Sequence, residues 1–287
     1  MVKQLVLIKF TFLCIIICNT GQVRAQNVQK PVVTNPPVTI PNSEQFTLFS
    51  ANTQQAYKIY VHLPTGYSTS DTIYPVMYGL DADIGFGTAA ELSAMLPARN
   101  EMPEIIVVGI AYGAYPGQEG NNRMRDYTFT TVLPDFPSSG GADKFFRFLH
   151  DELIPVIDAK YRTNLNDRTL SGASLGGLFS LYVLFEHPGI FNRYKISSPT
   201  IWWDEGKTLE LEKKYAETHT DLPASVFLSV GDVEGIADAW KKLVQVLEDR
   251  NYSSLKLTSM MFEDAPHLTA CFLAEIRGVK ALFSDKE

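Results

Sequence analysis

Gly172-Ala173-Ser174-Leu175-Gly176 is the stretch of this sequence whose residue types and spacing point most directly to chemistry. The form is Gly-x-Ser-x-Gly, which gains meaning where a strand runs into it and a helix leaves it. Residues 168–174 read as a short strand, and residues 175–185 continue as an apolar helix. A serine on so tight a turn needs small neighbours, and Gly172 and Gly176 let the two backbones approach. A helix starting at Leu175 directs its free N–H groups towards developing negative charge. Ser174 is therefore the candidate nucleophile, and the Leu175 N–H is a candidate oxyanion donor.

A serine hydroxyl needs an imidazole to take its proton. The chain has five histidines. His62 falls on an early strand and His150 in a helix well before the nucleophile. His187 ends the helix that begins at the nucleophile, and His219 lies near the end of a charged helix. His267 follows the last expected strand, in Phe262-Glu263-Asp264-Ala265-Pro266-His267. With a Gly-x-Ser-x-Gly nucleophile the partners come in the order serine, acid, histidine, the histidine after the final strand. His267 fits that order and the other four do not. The acid should follow the penultimate strand, 225–230, where the chain reads Gly231-Asp232-Val233-Glu234-Gly235. Asp232 and Glu234 are both candidates there, with Asp238 and Asp264 weaker ones, and spacing does not choose between the first two. A second oxyanion donor is expected in the loop after the strand 73–80, from the backbone N–H of Ala82 or Asp83. Asp81 and Asp83 are too few carboxylates for a calcium site, so neither metal nor cofactor is expected.

The elements that must position these groups alternate. Residues 46–50 and 56–63 read as antiparallel strands, with polar and apolar side chains alternating along Tyr57-Lys58-Ile59-Tyr60-Val61. Strands follow at 73–80, 104–111, 168–174, 193–197, 225–230 and 255–262. Helical spacing marks 143–161, 175–185, 237–249 and 268–283. Repeated βα units imply an α/β fold: a mostly parallel central sheet with helices on both faces. Ligands then bind at the carboxyl ends of the strands, which is where Ser174, the acid candidates Asp232 and Glu234, and His267 fall.

Of 287 residues, 45% are hydrophobic and 11% aromatic, enough for one large packed domain. Lys3 and Lys9, an apolar run from Phe10 to Ile17 and Val23-Arg24-Ala25 have the layout of a secretory signal peptide over 1–25. The run is too short to span a bilayer, which needs about 20 residues, so no stable membrane insertion is expected after cleavage. Ile17 stands where a lipoprotein signal would place a small residue before Cys18. Residues 26–43, with Pro31, Pro36, Pro37 and Pro41, read as an extended linker or arm, and 44–287 as the catalytic domain. The expected location is periplasmic or secreted. Removing Lys3, Lys9 and Arg24 from 25 basic residues leaves 22 against 32 acidic ones, a net of −10. Such a chain repels polyphosphate, so nucleic acid is not an expected partner. Cys271 is then the one remaining cysteine, and the core must hold the domain without an internal disulfide.

These residues resemble the Putative esterase family of α/β-hydrolases, which includes S-formylglutathione hydrolases, feruloyl and acetyl-xylan esterases, mycolyltransferases and siderophore esterases. Ser174-Leu-Gly-Gly-Leu-Phe and Ile196-Ser-Ser-Pro-Thr-Ile-Trp-Trp203 look most like the enterobactin and bacillibactin esterases, and Arg125-Asp126-Tyr127-Thr128 matches a segment on the active-site side. The resemblance covers the chain from about Phe46 onward. It implies an α/β-hydrolase fold and a serine carboxylic-ester hydrolase working through Ser174, His267 and an acid. The wider family sets that acid three residues after the strand-ending glycine, which favours Glu234. The implied substrate is a small-molecule or glycan ester: a siderophore trilactone, or else a feruloyl or acetyl-xylan ester. An acyltransferase and a non-catalytic binding relative are the readings from other classes. Trp202 and Trp203 are candidates to stack on an aromatic acyl group, although core packing of at least one is the plainer reading. Arg123 and Arg125 are candidates to meet an anionic substrate, against a structural ion pair. Relatives often carry Leu-Asp-Gly-Asp where this chain has Leu80-Asp81-Ala82-Asp83, and His where it has Ala173; neither departure removes a catalytic group.

Overall fold

Short runs of β-branched and aromatic residues build the sheet, and their alternation decides which helix layer each side chain meets. The computed structural model describes residues 36–283. The expected signal peptide, with Cys14 and Cys18, lies outside the described residues, as does most of the expected arm. Residues 36–38, exposed and irregular, belong to a unit separate from the one formed by Thr39–Glu287.

Eight strands form one sheet: β1 (Ser43–Ser50), β2 (Gln55–His62), β3 (Tyr74–Gly79), β4 (Ile106–Ala111), β5 (Thr163–Ala173), β6 (Arg193–Ser197), β7 (Ser225–Gly231) and β8 (Lys256–Phe262). Their order is β1-β2-β4-β3-β5-β6-β7-β8. β1 and β2 run antiparallel to each other, and β2 runs antiparallel to β4; every pairing from β4 to β8 is parallel. The helical segments are α1 (Ala82–Met95), α2 (Arg123–Asp126), α3 (Ala142–Arg147), α4 (Ile154–Lys160), α5 (Leu175–Glu186), the short α6 (Trp203–Gly206), α7 (Thr208–Thr218), α8 (Ala237–Asp249) and α9 (His267–Phe283). A mostly parallel sheet covered on both faces is the α/β-hydrolase architecture.

The two faces separate by strand parity. Val226, Leu228 and Val230 of β7 join Tyr194 and Ile196 of β6 in the main core, under α5 and α8. Phe227 of β7 turns the other way, packing with Ala270 and Ala274 of α9. α5 is buried along every residue from Leu175 to Phe185, so it is apolar all round. α9 meets the sheet through Ala270, Ala274 and Gly278, small residues that allow close approach.

β5 begins at Thr163, five residues before the expected 168, and two helical elements also differ from the sequence expectation. The helix expected over 143–161 is divided: between α3 and α4 the chain runs as a π-helical stretch, Phe148–Leu153. Pro155 stands in the first turn of α4. Its ring carries no N–H and crowds the preceding turn, and a wider turn accommodates both. The second difference is α1, a helix of 14 residues that the spacing did not announce. Its apolar and polar residues are spread around the axis, with Phe86 and Ala90 buried and Ile84 and Met95 exposed.

Candidate active site

Because β3, β5, β7 and β8 are parallel, the loops at their carboxyl ends meet on one edge of the sheet. β5 ends at Ala173, and Ser174 follows at φ 57°, ψ −120°, a conformation that a non-glycine residue adopts at a cost. The turn is held from both sides. The Ser174 N–H donates to Ser197 O at 3.0 Å, and Thr200 N–H donates to Ser174 O at 3.1 Å. A Cβ on Gly172 would overlap the carbonyl of Gly176, so that crossing of strand and helix demands glycine.

The chain leaves β7 through Gly231 and turns so that Glu234 reaches back. Glu234 Oε2 lies 2.6 Å from His267 Nδ1. Glu234 Oε1 accepts the Ser198 hydroxyl at 2.6 Å and the Gly231 N–H at 2.7 Å. Three donors thus fix a carboxylate side chain that is only 5% exposed. Asp232 is turned elsewhere: its Oδ1 accepts the Ala265 N–H at 3.3 Å. A carboxylate on Nδ1 places the imidazole proton there and leaves Nε2 as a base. Ser174 and His267 line the same two cavities. Among the hydrogen bonds of the described residues none joins Ser174 Oγ to His267; such bonds tighten when substrate arrives.

The first turns of α1 and α5 supply open N–H groups. Neither helix has a side-chain cap, and the N–H groups of Ala82, Asp83 and Leu175 precede the first i→i−4 bonds. Asp81, just before α1, sits at φ 54° and is gripped at three atoms. Arg123 donates Nε to Oδ1 and Nη2 to Oδ2, both at 2.8 Å, and the Asp81 N–H donates to the buried Tyr127 hydroxyl at 3.3 Å. Asp83 turns back, its carboxylate accepting the N–H groups of Tyr112 at 2.7 Å and Gly113 at 2.9 Å. Both aspartates are thus spent on the loop's shape. Among the described residues no group of three His, Cys, Asp or Glu side chains is arranged to hold a metal.

The remaining candidates divide. Arg123 lines the main cavity. Arg125 does not: its Nε donates to the buried Asp126 at 2.7 Å and its Nη2 to Gln55 at 2.8 Å. Burial pushes the Asp126 carboxyl up, against the opposing pull of Arg125. Trp202 is 54% exposed and lines the second cavity. Trp203 is fully buried, its ring tilted against Phe136 and its indole N–H donating to Thr130 at 3.0 Å.

The main cavity, about 260 Å³, opens at Ser174 and His267 and runs between α1 and α9 past Ile84, Leu268, Cys271 and Phe272 to Glu275. Sequence reasoning missed this wall, because α1 and the exposed side of α9 carry no motif. Burial pushes the Cys271 thiol up, keeping it protonated and weakly nucleophilic.

The chain is similar to known proteins in both sequence and fold. The model of the family described as Putative esterase matches residues 50–253, which include Ser174 and Glu234; His267 lies past the match. Ferri-bacillibactin esterase BesA of Bacillus subtilis is 33% identical over 211 residues, 68% of this chain and 72% of that protein. The siderophore triacetylfusarinine C esterase of Aspergillus fumigatus is 31% identical over 77% of this chain and 78% of its own. The crystal structure of the BES protein from Bacillus cereus superposes with a TM-score of 0.81 at 28% identity, covering 89% of this chain and all of that one. On sequence and fold alike, the chain belongs to the Putative esterase family and is a serine hydrolase of the esterase class.

Proposed function

We propose that this protein is an exported serine carboxylic-ester hydrolase that works through Ser174, His267 and Glu234 and acts on siderophore esters. The observation that carries the catalytic reading is the Glu234–His267 pair set beside the strained Ser174 turn. Ser174 Oγ attacks the ester carbonyl carbon while its proton passes to His267 Nε2. The oxyanion takes the N–H of Leu175 and that of Ala82 or Asp83. His267 then returns the proton to the departing alkoxide, leaving an acyl-serine. Water repeats the sequence and frees the acid. Glu234 holds the Nδ1–H and stabilises the imidazolium formed in each half-reaction.

The substrate class rests on the company the chain keeps: the curated relatives cited above are siderophore esterases by name. Trp202, exposed at the rim of the second cavity, offers an indole face to an aromatic ring of such an ester. Arg125, tied to Asp126 and Gln55, is 33% exposed, so its guanidinium edge is the part left for an anion. Export rests on the layout of residues 1–25. Among the described residues no helix is long and apolar enough to cross a membrane.

A hydrolysis panel tests the assignment: an enterobactin-type trilactone, methyl ferulate, acetylated xylan and S-formylglutathione. Turnover highest on the trilactone is the expected result. A preference for ferulate or acetylated xylan would move the protein to the carbohydrate esterases.

A further inference from the structure

Glu275, which lines the main cavity, is paired with a buried lysine behind it that the triad does not use. Lys195 lies at the middle of β6, with Ser171 of β5 and Phe227 of β7 as its register partners, and its side chain is 2% exposed. Its stem runs under Gly278 of α9, where a Cβ would meet Lys195 Cγ and Cδ. Its ammonium pairs with Glu275 Oε1. Glu275 stands one turn below Cys271 and two turns below His267 on the same side of α9, and lines the cavity that starts at Ser174. Eight residues of helix place its Cα about 12 Å from that of His267. The wall between is apolar: Ile84 from α1, and Leu268 and Phe272 from α9.

Two cavities meet at Ser174, and they differ in kind. The second, about 440 Å³, is the wider and the more open to solvent, bordered by Ser198, Thr200, Trp202 and Pro266. The alcohol leaves and water must enter after the first half-reaction, which suits the open side. The acyl group stays bound to Ser174 through both halves, which suits the slot between α1 and α9. That slot ends on a carboxylate whose charge Lys195 already balances, so a cationic tail gains little there. Among the described residues Glu275 has no hydrogen-bond donor other than Lys195. An ionised carboxylate only accepts, so its remaining oxygen calls for a neutral donor.

Resting on the esterase reading above, we infer that the slot selects the acyl half of the substrate: an apolar stem packed against Ile84, Leu268 and Phe272, carrying a hydroxyl at its far end that donates to Glu275. Lys195 acts through Glu275, anchoring one oxygen of its carboxylate at the end of the slot.

The test uses pairs of p-nitrophenyl esters, each a plain alkanoate beside its ω-hydroxy counterpart, over chain lengths from hexanoate to decanoate. At the length that reaches Glu275, the ω-hydroxy ester should show about tenfold higher kcat/KM, carried mostly by KM, as for a hydrogen bond to a charged group. In the double variant Lys195→Met with Glu275→Leu, which replaces the pair by apolar side chains of similar volume, the ratio should fall to about one. A wild-type ratio near one at every length overturns the inference, and so does a ratio that survives in the double variant. If the variant does not fold, the wild-type series decides: a preference peaking at one length supports the slot, and a flat one overturns it. Moving the hydroxyl to the alcohol half of the ester should abolish the preference; its persistence overturns the side assignment. Hydrolysis of plain esters without a hydroxyl preference sinks this inference alone, whereas hydrolysis of neither ester contradicts the esterase reading itself.

Discussion

Glu234 Oε2 stands 2.6 Å from His267 Nδ1, and the other oxygen of that carboxylate is held by Ser198 and the Gly231 N–H. The turn after β7 therefore presents a carboxylate that is held on His267. Glu234→Gln should lower kcat on a small p-nitrophenyl ester by on the order of 10³–10⁴, with the wrong imidazole tautomer favoured. Asp232→Asn, which touches only the Ala265 N–H, should stay within a fewfold of wild type. Steady-state kinetics on both variants, with circular dichroism to establish folding, checks this. The reverse ranking would make Asp232 the acid.

Gly231 carries a packing constraint beside its role in that turn. A Cβ there would overlap the Ala265 carbonyl and come within 3.1 Å of Glu234 Oε1. Gly231→Ala should cost about 1–3 kcal/mol of stability, with the acid turn and the His267 loop forced apart. Thermal unfolding and activity should fall together. An unchanged Tm would mean that the two loops yield freely.

Arg123 is expected to act through Asp81 on the oxyanion loop. Its fork fixes a residue at positive φ immediately before the open N–H groups of Ala82 and Asp83. Arg123→Leu should reduce kcat roughly ten- to a hundredfold with little change in KM on a neutral ester. Arg123→Lys should restore only part of it, because an ammonium cannot fork a carboxylate. A rise in KM at constant kcat would instead make Arg123 a substrate-binding group.

His62 predicts a pH dependence of stability remote from catalysis. It is 2% exposed, with Nδ1 at 3.0 Å from Ser43 Oγ, and burial holds its pKa below the ordinary 6.5. Between the folded and unfolded values the unfolded chain binds more protons, so stability rises with pH there. Its contribution is present above about 6.5 and is lost as pH falls through the depressed folded value. Urea midpoints measured from neutral to mildly acidic pH should drop more steeply for wild type than for His62→Leu. Parallel curves would remove His62 from the account.

Most strands were legible because they are short runs of β-branched and aromatic residues ending in glycine or a polar turn, and their parity carries through to the two cores; β5 begins five residues before the expected 168, in a polar stretch that carries no such signal. That Ser174 and His267 come together at one cavity was legible from motif and chain order. The choice of Glu234 needed the family resemblance, since the direction of the turn after Gly231 depends on contacts with Ala265 and Ser198 from other loops. Trp202 and Trp203 are neighbours in sequence yet one is exposed and the other buried, a division made by the turn of α6 and by Phe136. Arg123 and Arg125 separate likewise, one onto Asp81 and the other onto Asp126. The slot was invisible because α1 lacks a clear apolar stripe and because Lys195 and Glu275 lie on separate elements. A lysine centred in a buried strand was the one signal that could have found it.

The central claim is that Ser174 is the nucleophile. Treating the enzyme with a fluorophosphonate and mapping the adduct by peptide mass spectrometry tests it most directly. One adduct per chain is expected, on Ser174, appearing in step with loss of esterase activity and absent from Ser174→Ala. Stoichiometric inactivation with the adduct on another residue, or full esterase activity in Ser174→Ala, would contradict it.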